Sequence, residues 1–126
     1  MAQSAPPLTA VQIVAVTSAT QAERIAADQQ TTTRRHTGPV TIVVREVGIG
    51  SARLVRVDGA PLLPPSTTRG LCGPAVTPGA CRPGEPLTGA EITYHFDALP
   101  SGTTVAVQDT SATLPAQTLT ATITLR

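Results

Sequence analysis

The strongest constraint on the fold is a strict two-residue alternation in the C-terminal third of the chain. Residues 91–98 place apolar side chains at every second position and polar ones between them: Ile92, Tyr94, Phe96 and Ala98 against Glu91, Thr93, His95 and Asp97. Residues 118–125 repeat the pattern, with threonine at each even position. This period is typical of a β-strand with one buried face, so both segments are predicted to be strands.

Further strand-like segments precede these two. Residues 11–17, 40–47, 52–58 and 103–108 are rich in valine, isoleucine and threonine, which favour strands. Gly48–Ser51 is predicted to be a turn that joins the second and third of them as a hairpin, and Asp58-Gly59 to be a second turn. Several short strands separated by turns predict an all-β, mainly antiparallel fold, a small sandwich or barrel.

The first 37 residues have a different character from the rest. Residues 1–10 are predicted to form an extended arm, broken by Pro6 and Pro7. Thr20-Gln-Ala-Glu23 has the spacing of a capping box, which predicts a possible short helix over residues 21–30; the alternative is an irregular arm that continues to Thr33. We therefore divide the chain into an N-terminal arm and strand, residues 1–37, and a β-sandwich body, residues 38–126.

A segment rich in glycine and proline interrupts the body. Thirteen of the 31 residues at 59–89 are glycine or proline, which predicts a long loop without regular structure over most of the segment. The same segment contains both cysteines, Cys72 and Cys81, with Gly and Pro between them. A loop of this length closes readily into a disulfide, which would make the segment more rigid; the alternative is two free cysteines in a reducing compartment.

The chemistry-bearing residues form no recognisable constellation. His36 and His95 are the only histidines and neither has ligand spacing to a cysteine, so no metal site is predicted. The chain has no G-x-S-x-G elbow and no dinucleotide or calcium-loop motif, so we predict no cofactor, no catalytic residue and no enzyme. Two aromatic residues and a net charge of +1 argue against nucleic-acid binding, and the best apolar stretch is too short to span a membrane.

Arg34-Arg35-His36 is the only basic cluster. Its guanidinium groups could bind a phosphate or an acidic protein surface. The alternative, which we favour, is a solvated linker, because isolated surface charges are usually solvated.

In composition and layout, the chain resembles the small decoration and structural proteins of tailed bacteriophage virions: it is short, aromatic-poor and nearly neutral, with an N-terminal arm and a β-rich body. The resemblance implies a protein on the capsid surface that binds and stabilises the major capsid protein lattice, as a homo-oligomer and often a trimer. Pro6, Pro7, Val11 and Ile13 of the arm, with Arg34 and Arg35, are the expected contacts with other virion subunits.

An immunoglobulin-like recognition module is the alternative function. It would belong to a phage tail or fibre, or to an extracellular adhesin at the cell surface. The loop at residues 59–89, braced by Cys72 and Cys81, would then be the binding element on a rigid sandwich.

Overall fold

A computed structural model describes residues 5–73, 77–78 and 81–126, with the backbone alone at 77–78. These residues form β-strands and no helix. In chain order the strands are β1 Ala10–Ser18, β2 Ala22–Arg24, β3 Val40–Val47, β4 Leu54–Val57, β5 Ala60–Leu62, β6 Ser66–Cys72, β7 Thr77–Pro78, β8 Leu87–Phe96, β9 Thr104–Thr110 and β10 Thr118–Thr124.

The strands form two antiparallel sheets that pack face to face. One sheet has the order β2-β1-β3-β8-β6-β7, and the other has the order β10-β9-β4-β5. The predicted all-β sandwich is therefore confirmed. No helix in the described part of the chain is long and apolar enough to cross a membrane.

The core lies between the sheets and is built from the alternating faces of the central strands. On β3 every second side chain from Val40 is buried, and on β8 the buried side chains include Ile92, Tyr94 and Phe96. The opposite sheet contributes Val105 and Val107 of β9 and the apolar side of β10. Both aromatic residues are buried, at 5% and 6% exposure, as the alternation predicts.

The predicted helix over residues 21–30 is wrong. Ala22–Arg24 instead forms the edge strand β2, which pairs with β1 over three residues. Ile25 enters the core, where it is 6% exposed. A helix here would have had an apolar side made only of two alanines and Ile25, and such a short, weakly amphipathic helix does not offset the cost of nucleation.

The prediction of a long irregular loop at residues 59–89 is also wrong over much of its length. Ser66–Cys72 is a seven-residue strand that pairs with β8, and Ala60–Leu62 is a short edge strand. Pro65 and Pro86 come directly before β6 and β8, and Pro61 lies on an edge strand, where proline is tolerated. Gly70 lies within β6, where a Cβ would be 2.6 Å from a methyl carbon of the half-exposed Leu87 side chain.

The predicted hairpin across Gly48–Ser51 does not form. Strand β3 pairs with β1 and β8, whereas β4 pairs with β5 and β9, so the connection crosses from one sheet to the other. Local turn residues cannot distinguish these outcomes, because both require a turn at Gly48, which has a φ of +87°. The second turn is confirmed: Asp58 and Gly59 both have positive φ and join β4 to β5 as a hairpin.

Candidate functional site

The described part of the predicted arm lies against the sandwich. The Ile49 backbone N–H donates to the Pro6 carbonyl at 3.0 Å, and the Thr9 N–H donates to the Val47 carbonyl at 2.8 Å. Leu8 is 1% exposed, and its N–H donates to the Ser111 hydroxyl at 3.1 Å. Residues 5–9 are therefore held by backbone and core contacts, while the side chains of Pro6 and Pro7 remain exposed.

The two strand residues among the expected contacts lie within the first sheet. Ile13 is 4% exposed and belongs to the core, so it is a packing residue and cannot be an arm contact in this conformation. Val11 is partly buried and packs against the same core. Strand β1 pairs with β3 along its length and with β2 only at Ala15–Thr17, so the segment that carries both residues belongs to the first sheet and is not a free arm.

The basic cluster is divided between the surface and the interior. Arg34 and Arg35 are exposed, but His36 is 6% exposed, and its side chain is fully buried. The prediction of a solvated linker is therefore wrong for His36. The reason is a buried carboxylate, Glu23, which the imidazole contacts.

Glu23 on β2 is the hub of the first polar cluster. One carboxylate oxygen, Oε2, accepts from the Thr33 N–H at 2.7 Å, the Thr33 hydroxyl at 2.9 Å and the Gln29 amide at 2.9 Å. The other, Oε1, accepts from the Arg34 N–H at 3.1 Å and lies 3.3 Å from His36 Nε2. A single side chain thus secures the irregular segment between β2 and β3.

These donors determine the charge of Glu23. Burial alone would raise the pKa of its carboxyl, but hydrogen bonds from the Thr33 and Arg34 backbone, and from the side chains of Gln29 and Thr33, lower the pKa to about 2. Glu23 is therefore ionised throughout the neutral range. Its function in the fold is that of an anionic anchor.

His36 also contacts Ser18, whose hydroxyl lies 3.0 Å from Nδ1. The order serine, histidine, carboxylate is that of a hydrolase triad. However, the His36 ring is fully buried, and the Glu23 carboxylate makes four further hydrogen bonds that secure the loop. We assign this cluster a structural role, because its hydrogen bonds attach residues 29–36 to strands β1 and β2.

A second polar cluster lies at the opposite end of the sandwich, where β3 and β9 end. Glu46 and Asp109 are both 0% exposed, and Arg53 lies between them. The guanidinium donates to both Glu46 oxygens, at 3.2 and 3.1 Å, and lies 3.5 Å from Asp109 Oδ2. The other Asp109 oxygen accepts from the Ala52 N–H at 3.0 Å and from the Thr110 N–H at 2.8 Å.

This cluster has two acids and one base. Burial raises the pKa of Glu46 to about 7; the hydrogen bond and charge of Arg53 oppose the rise, while those of Asp109 add to it. Asp109 Oδ2 has no hydrogen-bond donor among the described residues. A proton on Glu46 would supply one, and the raised pKa of Glu46 keeps that proton in place up to about neutral pH.

The disulfide between Cys72 and Cys81 is present in the structure, with a Cα–Cα distance of 5.7 Å. It joins the end of β6 to the segment that leads into β8. The carboxylate of Glu85 lies within 4.8 Å of both sulfurs. Cysteines joined in this way have no thiolate to offer a metal, so the bridge is a structural link.

The outer side of the four-stranded sheet is a threonine-rich surface. We call this surface the threonine face; its threonines are Thr104, Thr110, Thr118, Thr120, Thr122 and Thr124. Two pairs of hydroxyls are hydrogen bonded across β9 and β10, each at 2.9 Å: Thr104 with Thr124, and Thr110 with Thr118. The face is therefore neutral along β10, and these hydroxyls are already positioned.

Sequence reasoning missed all the buried carboxylates, although a signal existed for two of them. Glu46 continues the buried series Val40, Ile42 and Val44, and Asp109 continues the series Val105 and Val107. A carboxylate on the apolar side of an alternating strand indicates a buried ion pair. No local sequence pattern identifies Glu23 as buried, because its hydrogen-bond partners lie in the irregular segment that follows β2.

Comparison with known proteins assigns the family of the chain. A family model described as a domain of unknown function, DUF4879, matches residues 2–125. No curated protein and no solved structure matches. Because the family model covers nearly the whole sequence, the chain belongs to the DUF4879 family.

Proposed function

We propose that this protein is a non-enzymatic structural protein of a virion, a capsid decoration protein that binds and stabilises the lattice of the major capsid protein. The observation that carries the proposal is the threonine face. Four of its six threonine hydroxyls are held in place by two cross-strand hydrogen bonds at 2.9 Å, on a regular sheet without a register shift between β9 and β10. A surface ordered before binding loses little entropy on contact with another protein.

The threonine face replaces the arm as the lattice contact in this proposal. Residues 5–9 are bound to the sandwich, and Ile13 is in the core. A contact through Ile13 would require strand β1 to leave its sheet, and Pro6 and Pro7 alone offer only a small exposed surface. The threonine face needs no such rearrangement.

Capsid binding by charge variants tests the proposal. Ala106 lies in the middle of the threonine face, opposite Thr122. Ala106→Glu is expected to lower the affinity for capsids of the phage that carries the gene by at least about 10-fold, measured by co-sedimentation. Thr67→Glu, an exposed position on β6 of the other sheet, is the matched control and should bind normally. No association of the unaltered protein, or equal binding by Ala106→Glu, would overturn the proposal.

A recognition module is the second candidate, favoured by a different surface. Leu62 and Leu63, where the chain crosses from β5 to β6, are 44% and 94% exposed. They border a pocket of about 180 Å³ whose lining includes Arg53 and Tyr94. Exposed apolar side chains beside a pocket are typical of protein contacts. If Leu63→Asp abolishes binding to host cells while capsid binding is absent, this candidate replaces the first.

A further inference from the structure

Strand β10 leaves part of its backbone open. On its outer side, the Thr124 N–H donates to the Gln30 carbonyl at 2.9 Å, and the Thr32 N–H donates to the Thr124 carbonyl at 3.0 Å. Because backbone groups alternate between the two edges of a strand, the N–H and C=O groups of Thr118, Thr120 and Thr122 also face outward. In the described ranges, no backbone hydrogen bond from outside the sheet reaches these three residues.

The strands at the other three sheet edges in the described part of the chain are protected against pairing. Strand β7 covers β6 only at Leu71 and Cys72, so residues 66–70 of β6 also lack an outer backbone partner among the described residues, but this stretch carries the charged Arg69. Strand β2 has three residues, two of them charged, Glu23 and Arg24. Strand β5 has three residues with Pro61 in the middle, and β7 has two residues that include Pro78. Charge, proline and shortness are the usual means of blocking an edge. Strand β10 has seven residues, no charge, no proline and no bulge.

Both ends of the open stretch are defined. Residues 30–32 occupy the edge beside Thr124. At the other end the chain turns away just before Thr118, where the Gln117 N–H donates to the Pro115 carbonyl at 2.8 Å. A groove of about 420 Å³ runs beside this edge, between β10, residues 11–13 of β1 and residues 25–30. The free edge therefore spans residues 118–122, with Thr120 at its centre.

We propose that this edge pairs with the same edge of a second copy of the chain. The strands would run antiparallel about a two-fold axis at Thr120, so that Thr118 faces Thr122 of the second copy and Thr120 faces its own equivalent. Three such pairs form about six backbone hydrogen bonds. A free stretch with the same length on both sides of Thr120 fits a symmetric partner, since each copy ends where the other is covered.

The pairing makes a dimer the unit that would bind the capsid. It joins two four-stranded sheets into one and makes the threonine face continuous across both copies. In this respect the inference rests on the proposed function, but the two can fail separately. A dimer that ignores capsids would overturn the capsid proposal alone, and a monomer that binds capsids would overturn the pairing alone.

Single-cysteine variants test the register of the pairing. Facing residues in a hydrogen-bonded antiparallel pair have Cα atoms about 5.5 Å apart, within the range of a disulfide. Thr120→Cys is expected to form a covalent dimer under mild oxidation at least about 10 times faster than Thr118→Cys or Thr122→Cys. The double variant Thr118→Cys/Thr122→Cys should also crosslink. Peptide mapping must show that the Cys72–Cys81 bridge is intact in every variant.

Sedimentation velocity over about 1 to 100 µM gives the second measurement. The unaltered protein should form dimers, and Thr120→Pro should remain monomeric and folded, because proline at this position removes only an outward N–H. Equal crosslinking of all three single-cysteine variants, or a monomer at the highest concentration, would overturn the pairing. So would a monomer whose Thr118–Thr122 amides become protected against exchange only when capsid protein is added, because the occupant would then be a capsid segment.

Discussion

Two glutamates buried at opposite ends of the same sandwich have opposite pKa shifts. Glu23 is 7% exposed and has a pKa of about 2, whereas Glu46 is 0% exposed and has a pKa of about 7. Burial raises the pKa of both. The difference is the number of donors: Glu23 accepts four hydrogen bonds from the loop and contacts His36, while Glu46 shares one guanidinium with a second acid, Asp109.

The comparison shows that burial does not decide the charge of a carboxylate. Backbone N–H groups that already face the site stabilise the anion at one end. At the other end the cation is shared, so the low-dielectric interior favours a proton. Glu23 is therefore an anchor that must be ionised, whereas Glu46 belongs to a pair of acids in which one carboxylate can be neutral.

Glu23→Gln should have the largest effect on stability. The substitution preserves the shape of the side chain, but it replaces an acceptor oxygen with a donor facing the Thr33 N–H or the Arg34 N–H. We expect the free energy of unfolding at pH 7 to fall by about 3 kcal/mol, measured by urea denaturation. A loss below about 1 kcal/mol would show that the loop does not depend on this anchor.

The pH dependence of stability should have two limbs of opposite sign. The folded pKa of Glu23 lies below its ordinary value of 4.5, so its contribution is present above pH 4.5 and is lost as the pH falls towards 2. The folded pKa of Glu46 lies above 4.5, so its contribution is present below pH 4.5 and is lost as the pH rises to 7. Each limb is worth about 3 kcal/mol.

Comparing the pH–stability profiles of two variants assigns each pH-dependent part of the stability to one glutamate. Subtracting the Glu46→Gln profile from that of the unaltered protein should isolate the limb between pH 4.5 and 7, and Glu23→Gln should isolate the acid limb. Urea midpoints measured at steps across pH 2 to 8 provide both. If the neutral limb persists in Glu46→Gln, another group carries it and the contrast between the glutamates is wrong.

Gly50→Ala tests how tightly the turn at Gly50 packs against the Asp109 carboxylate of the second cluster. A Cβ at Gly50 would collide with the Asp109 carboxylate, whose nearest oxygen is 1.9 Å from that position. The carboxylate or the turn must therefore move, and we expect a loss of about 2 kcal/mol. Ser51→Ala, an exposed neighbour in the same turn, is the control and should change stability by less than about 0.5 kcal/mol.

Glu46→Gln should have the smallest effect at pH 7, less than about 1 kcal/mol. The amide resembles the protonated acid that the site favours, and its N–H can donate to Asp109 Oδ2, which otherwise has no donor among the described residues. Thermal unfolding at pH 7 and pH 8 measures the effect. A loss as large as that of Glu23→Gln would mean that the two buried glutamates are equivalent anchors.

Much of the fold was predictable because its signals are local. The alternation at residues 91–98 and 118–125 correctly identified two strands and the buried side of each, except that β8 ends at Phe96 and Ala98 is exposed. Strand partners were not predictable, and the hairpin across Gly48–Ser51 was wrong because pairing depends on distant residues. The segment at residues 59–89 misled for the same reason, since β6 forms against β8, whose paired residues lie 15 to 28 positions along the chain.

The two polar clusters were even less predictable than the strand pairs, because tertiary contacts bring their residues together. Glu23 gathers donors from residues 29–36, and Asp109 meets Arg53 from 56 positions away. Neither spacing is a motif. Of the expected contact residues, Pro6, Pro7, Arg34 and Arg35 are on the surface, but the segment around Ile13 proved to be part of the core.

The sequence by itself determined which residues alternate, where the chain can turn and which cysteines can reach one another, because these depend on near neighbours and on the two-residue period of a strand. Tertiary structure alone decided which strands pair, which edge stays open and which buried carboxylate is charged. Edge exposure and pKa depend on groups that distant parts of the chain bring together, and no short segment encodes those distances.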